Sequence, residues 1–433
     1  MIADDDAELA RRDPALPGLA TLLDDDAFAS ALRSAAPDAG IETAHAGYVR
    51  YKPGTSCLVS YRLDVRGAEV DAYARAHPLD DLAKLEPARG RADTSGPPWR
   101  APVLLAELGV AVYPFPHDRR LPSLAGLADP GRRRALLARV LPERPDLWEA
   151  GLRRLRYKPE RRFVAELSAD TGVRALLKAY DGGDYRGASR NAKVFVSRGS
   201  LRVAQRLGRS PGRRVLVTEW LPGRELLEVL AGEHPDLDAT AVAGAALAEL
   251  HGQTPRRPRH HTSQGEAEAV HEAAGAVGAV CPALAERARR LAVAIAAELA
   301  ATAFAAVTIH GDFSADQVLV GDGTAAIVDL DHAVRSDPRT DLGSFTARLE
   351  RDVLAGKLSS GRANAATAAL LDGYRDRARG EFDGVERGTG WIRPHTAARL
   401  LRLAPEPFRY REQDWHDGVE ALLTRVEAIL DGD

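Results

Sequence analysis

Two stretches of this chain repeat each other, and the repeat limits the available folds more than any other feature. Arg50-Tyr51-Lys52-Pro53 returns as Arg156-Tyr157-Lys158-Pro159. Each copy is followed by a β-rich run, Ser56 to Leu63 in the first and Arg162 to Leu167 in the second. After a polar turn comes a third strand, Val70 to His77 and then Val173 to Tyr180. Branched and aromatic residues bounded by turn residues are the mark of strands joined as hairpins. A fourth landmark, Val110-Ala111-Val112-Tyr113-Pro114, corresponds to Val215-Leu216-Val217-Thr218-Glu219. Four landmarks in the same order describe a small β-lobe present twice, followed by a larger helical region. Were the tetrapeptide match chance, residues 1–145 would be an unrelated domain.

The chain's 433 residues are two or three domains' worth at ~150 residues each. With 45% apolar and 28% charged residues it is globular in composition. Its formal charge of −3 offers no general attraction for nucleic acid or an anionic membrane, so neither is expected as a partner. Cys57 and Cys281 match no metal or redox spacing. The acidic N-terminus lacks the parts of a signal peptide. Leu291 to Ile309 is apolar enough to suggest a membrane span, but Glu298 interrupts it. Leu284, Leu291, Ile295 and Leu299 instead fall at helical spacing, so a buried amphipathic helix and a cytoplasmic protein are expected. Pro235 to Leu250 reads as another helix, and Ser263-Gln264-Gly265-Glu266 has capping-box spacing. Between them, Thr254 to His261 reads as a solvated basic connector.

The chemistry is concentrated between Val307 and Leu342. A short strand, Val307-Thr308-Ile309, leads into His310-Gly311-Asp312. Gln317 opens a hairpin that turns at Gly321-Asp322-Gly323 and ends in Asp329-Leu330-Asp331. Asp337-Pro338-Arg339-Thr340-Asp341 follows, with Asp341 leading into a helix. Phosphoryl transfer needs a carboxylate to accept a hydroxyl proton and oxygen ligands for magnesium. Asp312 on a tight loop suits the base, Gln317 and Asp329 suit the metal, and Asp331 could support a second ion.

This set, His310-x-Asp312-x4-Gln317, Asp329-x-Asp331 and Asp337-Pro-x-x-Asp341, resembles the aminoglycoside phosphotransferase family from about Leu155 onward. The resemblance implies an α+β, protein-kinase-like bilobal fold with a β-rich N-lobe and a helical C-lobe. The extra N-terminal α/β unit looks like a duplicated N-lobe. It gives domains at 1–148, 149–222 and 223–433. It also implies an ATP- and Mg2+-dependent O-phosphotransferase acting on a hydroxyl of a sugar, amino sugar or aminoglycoside. Lys178 stands where the family places the lysine that holds the nucleotide phosphates, notable in a chain where only six of 59 basic residues are lysine. Backbone of Glu219 and Leu221 stands where the family's hinge meets adenine.

Three departures stand out. Gln317 replaces the family's usual asparagine, and the phosphate-covering turn Pro159-Glu160-Arg161-Arg162 has no glycine, so it reads as a solvated turn or, alternatively, as one whose Arg161 or Arg162 touches phosphate. No acidic residue between Asp184 and Glu219 offers Lys178 a partner. In the first lobe Arg75 takes the place of Lys178, and Pro114 and Pro116 remove hinge donors, so that lobe is expected to be structural. A nucleotide-binding scaffold without turnover is the alternative. A protein kinase fits less well, because glycine separates His310 from Asp312. Asp372, Glu381, Asp383, Glu386 and Asp414 are expected on solvated faces, and Trp391 and Trp415 in the core.

Overall fold

The computed structural model describes residues 2–84, 101–254, 262–301, 305–378 and 389–432. The first sheet holds β1 (Ile41–Lys52), β2 (Ser56–Val65), β3 (Ala68–Ala76), β4 (Val103–Leu105) and β5 (Val110–Pro114). Its antiparallel order is β1-β2-β3-β5-β4. The next strands are β6 (Gly151–Lys158), β7 (Arg162–Ser168) and β8 (Arg174–Tyr180). After the two-residue β9 (Leu201–Arg202) come β10 (Arg206–Ser210) and β11 (Val215–Glu219). The second sheet runs β6-β7-β8-β11-β10, also antiparallel.

The two sheets therefore share one strand order. Register agrees as well. Lys178 lies opposite Val164 and Leu216, and Arg75 opposite Leu58 and Ala111. Alternating burial along β2 and β7 puts one face of each sheet into a core.

The rest is mainly helical, giving the bilobal α+β architecture. Helix Leu237–His251 starts at Asp236, whose side chain accepts the Ala239 N–H. It lies against helix Ser360–Ala378, and each helix contributes a glycine, Gly244 and Gly373, where they touch. A β-carbon at either would run into a backbone carbonyl of the other helix. Helix Ser263–Val280 is capped by the side chain of Thr262 on the Gly265 N–H, one residue earlier than the expected Ser263 box. The apolar run is helical only to Ala301, in helix Ala285–Ala301, which buries Ala288, Leu291, Ile295 and Leu299, and it ends in a strand at Val307–Ile309. Among the described residues, no helix is long and apolar enough to cross a membrane. Most of the basic connector, residues 255–261, lies outside the described residues, as do Glu381, Asp383 and Glu386.

Two small sheets carry the functional loops. One orders β12 (Arg224–Glu225), β14 (Val318–Gly321), β15 (Thr324–Ile327) and β9 as β12-β14-β15-β9. The other pairs β13 (Val307–Ile309) with β16 (Val334–Ser336).

The first sheet's larger core is shared, while Leu58, Tyr73, Ala111 and Tyr113 form only a small cluster on its other face. Its apolar face, with Val59, Leu63 and Val112, joins one continuous cluster with Val277, Ile295, Leu401, Phe408 and Leu423 of the C-terminal helices. Phe28 stacks on Tyr61 at 3.8 Å beneath it. Both cysteines are free and buried. Trp415 is buried against Phe408, and Trp391 packs on the helical core. Asp372 pairs with Arg375 at the surface and Asp414 is exposed.

Candidate functional site

β13 delivers His310 to a loop that only glycine can turn. Gly311 has φ of +86°, and a β-carbon there would sit 3.0 Å from the His332 carbonyl. The His310 ring then bridges two segments. Its Nδ1 accepts the Asp312 N–H at 3.2 Å, so Nε2 carries the proton and donates to the Val328 carbonyl at 2.8 Å.

Asp341 secures this loop from beneath. Fully buried in the first turn of helix Arg339–Leu354, its Oδ2 accepts the His310 N–H at 2.6 Å. Its Oδ1 accepts the Gly311 N–H at 2.8 Å. His251 Nε2 lies 3.0 Å away, and its Nδ1 is 2.9 Å from the Tyr374 hydroxyl. Sequence reading took Asp341 only as a helix entry. Its anchoring role, and that of His251 and Tyr374, depends on residues distant in the chain.

Asp329 follows β15 with φ of +62°, a left-handed conformation that turns its carboxylate out of the hairpin. Lys178 Nζ donates to its Oδ1 at 2.7 Å and to Asp331 Oδ2 at 3.2 Å. Arg162 Nη1 reaches both Asp329 oxygens at 2.7 and 2.9 Å and Asp331 at 3.1 Å. The Tyr180 hydroxyl donates to Asp331 at 2.9 Å. Lys178 thus finds its carboxylates across the cleft rather than on helix Asp184–Asn191. That helix instead uses Asn191, whose side chain donates to the Leu330, Asp331 and Ala333 carbonyls.

Burial works against the charges on Asp329, Lys178 and Arg162, and the opposite charges outweigh it. Asp329 is held well below the usual carboxylate range by Lys178 and Arg162. Lys178 is raised above the usual lysine value by Asp329 and Asp331. Asp329 and Lys178 therefore stay ionised at neutral pH.

Two cavities meet at Asp329. The first, about 210 Å³, is walled by apolar side chains including Leu176, Val203, Leu216 and Ile327. Lys178 and Asp329 line it too, as do Glu219, Trp220 and Leu221 at the hinge. The Glu219 N–H is bonded to the Gln205 carbonyl at 2.9 Å, so Glu219 could offer a ligand its carbonyl but not its N–H. Arg174 covers the Trp220 ring at 3.8 Å.

The second cavity, about 300 Å³, is polar and contains Asp312, Gln317 and Asp329. Asp312 forms an ion pair with Arg399 of helix Arg393–Leu403, a partner that no local motif announces. The structure thus brings all six sequence candidates to two adjoining chambers, with Asp329 common to both.

The N-terminal unit reaches this site as well. Tyr48 of β1 lines the polar cavity. Glu160, in the glycine-free turn between β6 and β7, is buried with φ of +59°. Its carboxylate is held by Arg75 and, at 3.2 Å, by Arg50, both from the first sheet. Its N–H donates to Asp118 at 2.8 Å. Arg75, at the position that corresponds to Lys178, thus binds a carboxylate of the neighbouring lobe.

A model of the phosphotransferase enzyme family matches residues 161–385, just over half the chain. No curated protein matches. A choline/ethanolamine kinase family protein from Mesorhizobium loti is 18% identical, with 69% of this chain and 93% of that one covered and a TM-score of 0.48. A putative fructosamine-3-kinase from Thermobifida fusca is also 18% identical, covering 69% and 98%, with a TM-score of 0.46. An aminoglycoside phosphotransferase solved with ADP and hygromycin B is 13% identical, covering 69% and 97%, with a TM-score of 0.45. With the family model spanning both the Lys178 lobe and the Asp312 loop, the chain belongs to the phosphotransferase enzyme family and is an enzyme that phosphorylates hydroxyl groups.

Proposed function

We propose that this enzyme transfers the γ-phosphoryl group of ATP to a hydroxyl of a small, sugar-like molecule. The observation that carries this reading is the junction of two unlike chambers at Asp329, one apolar with Lys178 and one polar with Asp312. The apolar chamber suits adenine, with the Glu219 carbonyl and the Leu221 backbone at its hinge rim. Lys178 would hold nucleotide phosphates, with Arg161 and Arg162 of the turn above them. The domains on this reading are a structural unit at 1–148, a nucleotide lobe at 149–222 and a helical lobe at 223–433.

Asp329 and Gln317 line one cavity, and a carboxylate with an amide oxygen is a donor set that fits magnesium. Bound there, the metal would neutralise phosphate oxygens. Asp331 would support it from behind through its bonds to Lys178 and Tyr180.

Asp312 orients the acceptor hydroxyl and takes its proton as the oxygen bonds to the γ-phosphorus. The bond from that phosphorus to the β–γ bridging oxygen breaks, and ADP leaves. Arg399 fixes the carboxylate's direction. Correct placement is the main contribution, because the phosphoryl group passes through a loose transition state. Replacing Asp312 by Ala should lower kcat by about 10²–10⁴ while nucleotide binding persists. Coupled ADP-release assays over sugars, amino sugars, aminoglycosides and choline would check this. Undiminished turnover in Asp312→Ala would remove the assigned base.

A further inference from the structure

The polar chamber carries more positive charge than its own carboxylates answer. Seven arginine or lysine side chains line it against five carboxylates. The carboxylates are already engaged. Asp329 takes Arg162, Glu406 takes Arg348 at 2.8 Å, and Asp352 takes Lys357 at 3.2 Å. Asp312 pairs with Arg399, which is not part of the lining, and Asp316 accepts the Ser314 hydroxyl at 2.5 Å.

Arg156, Lys158, Arg161 and Arg409 remain with no carboxylate in ion-pair range among the described residues. Arg161 adjoins Arg162 in the turn between β6 and β7. Arg156 and Lys158 come from β6, the edge strand of the second sheet, and Arg409 from the C-terminal helical region. Tyr48 and Tyr410, with ring centroids 5.4 Å apart and tilted by 57°, line the same chamber. Three separate parts of the chain thus converge here, and the N-terminal unit supplies one of them.

Lys158 shows what this arrangement costs. Burial first, then Arg156, Arg162 and Arg161, push its ammonium down to about 8, against only a distant pull from Glu406. Concentrating cations at a concave, partly buried surface is unfavourable unless an anion arrives to answer them.

We propose that the acceptor is an anionic hydroxy compound, whose carboxylate or phosphate is bound by Arg156, Lys158 and Arg409 beside the Tyr48–Tyr410 pair while its hydroxyl faces Asp312. The proposal rests on the phosphotransferase reading above and narrows its acceptor class, since the same cations repel an amino sugar or aminoglycoside. Both anions offer planar or tetrahedral oxygens that guanidinium and ammonium groups bind with charge-assisted hydrogen bonds.

Calorimetric titration of the full-length protein, saturated with magnesium and a non-hydrolysable ATP analogue, tests it directly. The probes are glucuronate and glucose 6-phosphate, with glucose and glucosamine as neutral and cationic counterparts. At least one acid should bind about tenfold or more tightly than glucose, and which acid does so separates carboxylate from phosphate. Arg409→Gln and Lys158→Gln should each weaken that binding about tenfold, with nucleotide affinity within twofold of the parent. Equal binding of glucose or glucosamine, or acid binding unchanged in both variants, would overturn the proposal. Turnover is scored separately with ATP. An acid that binds through Arg409 without being phosphorylated contradicts the transfer reading alone. Phosphorylation confined to the neutral or cationic sugar contradicts the charge assignment alone.

Discussion

His395 shows how a single buried residue ties this fold to pH. It sits near the start of helix Arg393–Leu403, 3.3 Å from the Thr340 hydroxyl and 3.5 Å from Asp337. Burial depresses its imidazole to about 4, against the raising pull of Asp337. The unfolded chain protonates this histidine below about pH 6.5, whereas the folded chain resists until about pH 4. Its contribution is therefore complete above the unfolded value and is lost as pH falls from 6.5 through 4, by up to about 3 kcal/mol. Urea melts at pH 7 and pH 5 should show His395→Gln losing less stability on acidification than the parent. An equal loss in both proteins would contradict this.

Asp341 is a second single-residue case. Asn there keeps one acceptor but turns an NH2 toward a backbone N–H, leaving a buried donor unsatisfied. About 2–3 kcal/mol of stability should go, together with a fall in kcat exceeding any change in nucleotide KM. Denaturant curves and initial rates measured on the same preparation would show whether both move.

Among the elements, the turn between β6 and β7 is the least ordinary. Lacking glycine, this turn must hold Glu160 in a left-handed conformation, costing about 1–2 kcal/mol for a residue with a β-carbon. Two arginines from the first sheet and the Asp118 carboxylate offset that cost. Glu160→Gln should lose about 2–4 kcal/mol, because Arg50 and Arg75 would be left without their carboxylate. The turn carrying Arg161 and Arg162 would loosen, so nucleotide KM should rise as well. A double-mutant cycle with Arg75→Met would isolate the pair, and additivity would show that the two are not coupled.

Over the whole molecule, the two β-lobes have the same strand order and opposite fates. The second faces the helical lobe across two chambers. The first lays its apolar face on the C-terminal helices, sharing Leu63 and Val112 with Ile295, Leu401 and Leu423 in one cluster. Removing residues 1–148 would expose that helical face to water, as well as the cut side of the Glu160 clamp. The remaining chain should aggregate or melt without cooperativity by calorimetry and light scattering. A soluble, cooperatively folding 149–433 fragment would show that the shared core is dispensable.

Much of this was legible in the residue order. The repeat exposed both sheets because strand alternation and turn residues act over a few neighbours, so Arg75 could be paired with Lys178 by landmarks alone. The spacing of Asp312, Gln317 and Asp329 marked one site because a loop and a hairpin of fixed length carry all three. What stayed hidden were contacts between distant segments: Lys178 meeting Asp329 and Asp331 across the cleft, Arg399 on Asp312, and Asp341 beneath His310 and Gly311. Local pattern sets which face of an element is apolar and where it turns. Which charges face each other is decided only when separate elements pack, and here that packing alone made the first lobe a clamp and one wall of the polar chamber.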